Sequence, residues 1–115
     1  HTCGSVASLL PEFVESGLDI LNPLQPDCAR MDYRRIKEQY GDKICFHGGI
    51  SIQKTMPYGS PQDVRNEVKD RVRKLAGNGG YIFCTAHNIQ ADTPIENITA
   101  LFEAYKEFGR GQARF

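Results

Sequence analysis

The sequence predicts an α/β fold in which parallel strands alternate with helices, and three observations predict it. Apolar residues recur at helical spacing in four stretches, and three short apolar runs lie between them. The turns from helix into strand are short and built on glycine. The segments that leave each strand are long and carry the His, Cys and Asn residues.

Taken in order, Ser5 to Ser16 places Val6, Leu9, Leu10, Phe13 and Val14 on one helical face and ends at Gly17. Pro11 inside this run predicts a kink or two abutting short helices. Leu18 to Leu21 is the first predicted strand, and Asn22 to Met31, with two prolines, is predicted as an irregular loop. Asp32 caps a helix that runs through Tyr40 and stops at Gly41. Lys43 to Phe46 is the second predicted strand, followed by His47-Gly48-Gly49 and a long loop to Gly59.

The strongest helix signal follows. Ser60 is the cap, Pro61 takes the first position, and Asp63 completes a capping box, with Val64, Val68, Val72 and Leu75 as the buried face. Arg65, Lys69, Arg71, Arg73 and Lys74, interleaved with Glu67 and Asp70, read as its solvated face. Asn78-Gly79-Gly80 breaks the helix, and Tyr81 to Cys84 is the third predicted strand. Thr93 is the predicted cap of a last helix that starts at Pro94, with Glu96 at the box position. Ile95, Ile98, Leu101, Phe102, Tyr105 and Phe108 form its predicted apolar stripe, and Gly109 to Phe115 a frayed tail.

The chain of 115 residues suits a single domain, residues 1–115. Its 14 basic and 14 acidic side chains balance, which removes the electrostatic basis for a nucleic-acid or acidic-membrane partner. No apolar run is long enough to span a bilayer and no signal peptide is evident, so a cytoplasmic location is expected. Cys3, Cys28, Cys45 and Cys84 are scattered and do not form a disulfide framework. Cys45 reads as a small core residue and Cys28 as a loop thiol. The chain opens on His1 within what reads as a motif at a strand end, so a fragment of a larger protein is expected.

His1, Cys3, Asn22, His47 and His87 all fall just past a strand. In α/β barrels that rim carries the active site. Three strands cannot close a barrel, which needs about 250 residues, so the chain would be its last third to half. A free-standing three-stranded sheet is the alternative, and its open edge would favour a homo-oligomer. In extended backbone His1 and Cys3 point the same way, an imidazole beside a thiolate, as zinc accepts. Cys84 and His87 are the candidates for a third ligand from far along the chain. Gly48-Gly49 permits positive φ or close approach of a ligand. Asn22, Gln25 and His47 are candidate substrate contacts.

The ordered set His1-Thr2-Cys3-Gly4, Asn22-Pro23, Phe46-His47-Gly48-Gly49-Ile50, Gly59-Ser60-Pro61-Gln62-Asp63-Val64, Ala86-His87-Asn88-Ile89 and Asp92-Thr93-Pro94-Ile95-Glu96-Asn97-Ile98 resembles the C-terminal part of the uroporphyrinogen decarboxylase superfamily. The resemblance extends to about Phe108. It implies the C-terminal portion of a TIM (β/α)8 barrel and one of two activities. One is cofactor-free decarboxylation of uroporphyrinogen, a tetrapyrrole substrate of heme biosynthesis. The other is zinc-dependent methyl transfer between a corrinoid, carried by a partner corrinoid protein, and a small-molecule thiol.

His-x-Cys-Gly resembles the methyltransferase branch and favours methyl transfer. Zinc would then be held by His1, Cys3 and His87, with Cys84 as the alternative third ligand. The chain departs from that branch at Thr85-Ala86-His87-Asn88, where the methyltransferases resemble Pro-Gly-Cys-Gly. The decarboxylases also carry a histidine at this position, in the substrate pocket, so His87 is the expected catalytic residue under either activity. A non-catalytic module that binds a corrinoid or a partner domain is the third reading.

Overall fold

The computed structural model describes residues 1–111. Its elements are a 3-10 turn (Ala7–Leu9), α1 (Leu10–Glu15), β1 (Ile20–Leu24), α2 (Tyr33–Tyr40), β2 (Cys45–Ile50), α3 (Thr55–Tyr58), α4 (Pro61–Leu75), β3 (Tyr81–Thr85) and α5 (Ile95–Gly111). The strands form one parallel sheet in the order β1-β2-β3. The predicted α/β alternation is therefore the observed one.

The first helical stretch divides as Pro11 demands. A 3-10 turn abuts α1, and Pro11 lies in the first turn of α1, where a missing N–H costs nothing. Gly17, at φ +88°, reverses the chain so that Leu18 N–H returns to the Phe13 carbonyl at 3.0 Å. Asp32 caps α2 by accepting from the N–H groups of Arg34 and Arg35. Ser60 and Asp63 form the reciprocal capping box at the start of α4. Val64, Val68, Val72 and Leu75 are buried, as their spacing requires.

The strands are displaced from the predicted ones. β1 starts at Ile20 and runs through Asn22 and Pro23, which were expected in a loop. Pro23 falls where the β1–β2 register shifts, between Leu21 and Leu24, so its missing N–H breaks no regular ladder bond. β2 continues through His47, Gly48 and Gly49 to Ile50, which pairs with Thr85. Both glycines have positive φ, +119° and +102°, and a Cβ on Gly48 would lie 2.9 Å from the Leu24 nitrogen. The strand therefore persists only because these residues lack side chains. The loop beyond it contains the short α3, which apolar spacing did not reveal.

α5 corrects the sequence reading at three points. Its first residue is Ile95, and the Thr93 hydroxyl is buried with no hydrogen-bond partner among the described residues, so Thr93 does not act as the cap. Ile95, Phe102 and Tyr105 are exposed. The buried line is Asn97, Leu101 and Ala104, with Ile98 and Phe108 half-buried. Asn97 causes this rotation, because its amide nitrogen donates to the Met56 and Gly59 carbonyls at 2.9 and 2.8 Å. The expected tail at Gly109 is helical through Gly111, and residues 112–115 lie outside the described part.

Two clusters form the core. Leu10, Leu21, Leu24, Ile36 and Phe46 pack under α1 and α2, and Ile50, Met56, Val64, Val68 and Leu101 pack under α4 and α5. Cys28 and Cys45 are half-buried, so Cys45 does not join the fully buried core. Arg71 is also not on a solvated face. Its Nε donates to the Gly49 carbonyl at 2.8 Å, its Nη2 pairs with the largely buried Glu67 side chain at 3.2 Å, and the guanidinium lies over the Tyr33 ring. Glu67 in turn accepts from Ser51 N–H at 3.0 Å. Tyr33 and Tyr81 are both largely buried beside Arg71, and burial pushes both phenols well above their ordinary value.

Candidate functional site

Alternation along the strands sorts the side chains of the sheet. Ile20, Asn22, Cys45, His47, Ile82 and Cys84 project from one face, by the register Ile20–Cys45 and His47–Ile82. The helices cover the other face. Asn22, His47 and Cys84 stand nearest the C-terminal strand ends, and the polar residues gather there.

The segment His1 to Cys3 lies alongside β1, with Thr2 N–H donating to the Asn22 carbonyl at 2.7 Å. This puts His1 and Cys3 on one side, and Cys3 Sγ is 3.5 Å from His1 Nε2. Gly4, at φ +99°, turns the chain away, and its N–H donates to Gln25 Oε1 at 2.8 Å. His87 arrives from the loop after β3. The Thr85 hydroxyl donates to the His87 carbonyl at 2.6 Å, and Asn88 N–H donates to His87 Nδ1 at 2.9 Å. The His87 ring meets the His1 ring edge-on, centroids 5.6 Å apart.

One ligand atom each from His1, Cys3 and His87 lies within 4.8 Å of the others. Cys84 is outside that group and lines the neighbouring cavity. The chain's three histidines, far apart in sequence, all meet at this rim. A cavity of about 330 Å³ opens between His1, Asn22, His47, Cys84 and His87. A second, of about 240 Å³, is lined by Cys3, Gln25, Ile52, Gln53 and His87. The two share His87, so the cluster lies between two compartments.

Asn22 and Gln25, expected to touch substrate, have their amide groups engaged within the protein. Asn22 Oδ1 is 2.5 Å from His1 Nδ1, and its Nδ2 is 3.0 Å from His47 Nδ1. Gln25 joins Gly4 to Gln53, whose Oε1 accepts from Gln25 Nε2 at 3.2 Å. Sequence reasoning missed Gln53 and Asn88. Asn88 adjoins the singled-out histidine and could have been found, whereas Gln53 had no signal.

Residues 1–108 match the family described as uroporphyrinogen decarboxylase (URO-D). The chain belongs to the uroporphyrinogen decarboxylase family. It is 33% identical over 101 residues to the uroporphyrinogen decarboxylase of Nostoc punctiforme, a match that covers 88% of this chain and 27% of that protein. It is 32% identical over 107 residues to the methylated-thiol–coenzyme M methyltransferase of Methanosarcina mazei, covering 93% and 27%. A uroporphyrinogen decarboxylase of Trichormus variabilis is 44% identical over 101 residues, covering 88% and 27%. The chain thus spans about a quarter of the length of these relatives. Its strands and helices are consistent with part of the TIM barrel of this superfamily. Among the described residues no helix is long and apolar enough to cross a membrane.

Proposed function

We propose that the protein carrying this chain transfers a methyl group from a corrinoid to a small-molecule thiol, with zinc held by His1, Cys3 and His87. The observation that carries the reading is the convergence of those three ligand atoms within 4.8 Å. The donor set fits zinc, which takes thiolate sulfur and imidazole nitrogen and keeps a fourth position for a substrate. Zinc there would supply a lowered pKa for a substrate thiol. The two cavities that share His87 also suit a transfer reaction, which must seat two reactants on either side of one centre.

The chain's own residues prepare this centre. Asn22 Oδ1 accepts a hydrogen bond from His1 Nδ1–H, which leaves the lone pair of the neutral ring on Nε2, the nitrogen nearest Cys3. Gly4 and Gln25 hold the turn that brings Cys3 to the rim. His87 carries a cost. Its Nδ1 accepts Asn88 N–H, so ligation through either ring nitrogen requires that bond to break.

The same bond supports a second reading. With Nδ1 accepting, the neutral His87 ring carries its hydrogen on Nε2, a donor suited to a substrate carboxylate, as decarboxylation of uroporphyrinogen requires. Zinc content per chain, on protein purified without chelators, tests the two together. About one zinc, lost in Cys3→Ser, supports methyl transfer. No zinc, with uroporphyrinogen decarboxylation lost in His87→Ala, supports the second reading instead.

A further inference from the structure

We propose that Asn22 gives two histidines opposite chemical faces: His1 presents a lone pair at Nε2, and His47 presents an N–H at Nε2. A carboxamide has an oxygen that only accepts and a nitrogen that only donates. Asn22 uses both ends on imidazoles, with Oδ1 2.5 Å from His1 Nδ1 and Nδ2 3.0 Å from His47 Nδ1. The oxygen end requires a hydrogen on His1 Nδ1. The nitrogen end requires that His47 Nδ1 has none. A neutral ring carries one hydrogen, so the far nitrogens of the two rings become opposite in character.

This makes one side chain of β1 the organiser of the cavity between His1, His47 and His87. The lone pair of His1 is on the Cys3 side, 3.5 Å from the sulfur. His47 contributes a donor to the wall of the same cavity. His87 contributes another, because Asn88 N–H occupies its Nδ1. The cavity therefore has an end suited to a cation or a proton and a wall suited to an acceptor group. Asn22 is a positioning residue that acts through His1 and His47 and need not touch substrate. The assignment of His1 and His47 stands under either reading of the reaction.

The test is long-range 15N–1H correlation of the imidazole rings in the 15N-labelled protein with EDTA present, the signals assigned by single His→Gln variants. The expected wild-type pattern is hydrogen on Nδ1 of His1 and on Nε2 of both His47 and His87. In Asn22→Asp both side-chain ends accept, so His1 should keep its pattern while His47 acquires a hydrogen on Nδ1. His87, governed by backbone, should not change and reports that the rim has kept its fold. The reverse pattern in wild type overturns the proposal, and so does an unmoved His47 in Asn22→Asp with His87 intact. If the variant does not fold, the wild-type spectrum alone decides.

Discussion

At the scale of single residues, the site depends on which atom of each polar group is already engaged. Cys3 is exposed, with its sulfur facing His1 Nε2, whereas Cys45 is half-buried and pairs in the ladder with Ile20. Replacing Cys3 by Ser should therefore abolish zinc binding, and replacing Cys45 by Ser should leave it intact. Metal analysis of the two variants checks this, and equal zinc in both would remove Cys3 from the ligand set. Asn22→Ala should weaken zinc by about 10–100-fold, as loss of an outer-shell partner of a ligating histidine typically does. Competition with a chromophoric chelator measures it. Zinc should also release Asn88 N–H from His87, which faster amide exchange at Asn88 on loading would report. The His-x-Cys pair was legible in sequence because alternation along an extended chain is local. The work of Asn22 was not, because it depends on the β1–β2 register bringing residues 22 and 47 together.

At the scale of elements, β2 extends further than its composition suggested, and two glycines are the reason. Gly48→Ala would force a Cβ against the Leu24 nitrogen at 2.9 Å in a backbone of positive φ. A loss of about 1–3 kcal/mol in urea unfolding is expected, together with separation of His47 from Asn22. The capping of α4 was legible because its signal is local, and it carries a pH dependence. Bonds from Ser60 N–H and hydroxyl hold the Asp63 carboxyl below its ordinary value of 3.8. A carboxyl lowered on folding stabilises above that value and loses its contribution as pH falls through the folded one. The acid limb of the stability curve should therefore flatten in Asp63→Asn. The face of α5 was not legible, because a buried polar residue overrode the apolar stripe. Asn97→Ala leaves two carbonyls without their donor and should cost about 1–3 kcal/mol in the same urea experiment.

At the scale of the whole molecule, the alternation of elements and the position of the chemistry were readable in the sequence. A parallel sheet needs helical crossovers, and its strand ends collect the loops that hold functional residues. What was not readable was the layer between sheet and helices, where Arg71 reaches from α4 to a glycine carbonyl and covers a tyrosine. Charge patterning along the helix suggested solvent there. That layer gives this stretch of chain an optical signature. Residues 1–115 contain no tryptophan and five tyrosines, so the near-ultraviolet absorbance of this stretch depends largely on the phenols. Tyr58 is 79% exposed, while Tyr33 and Tyr81 are held neutral by burial. A phenol raised on folding supports the folded state below its ordinary value of 10.0, and that support is lost as pH rises above it. An alkaline titration should therefore show phenolate absorbance in two steps, a reversible one from surface rings and a later one that coincides with loss of the fold.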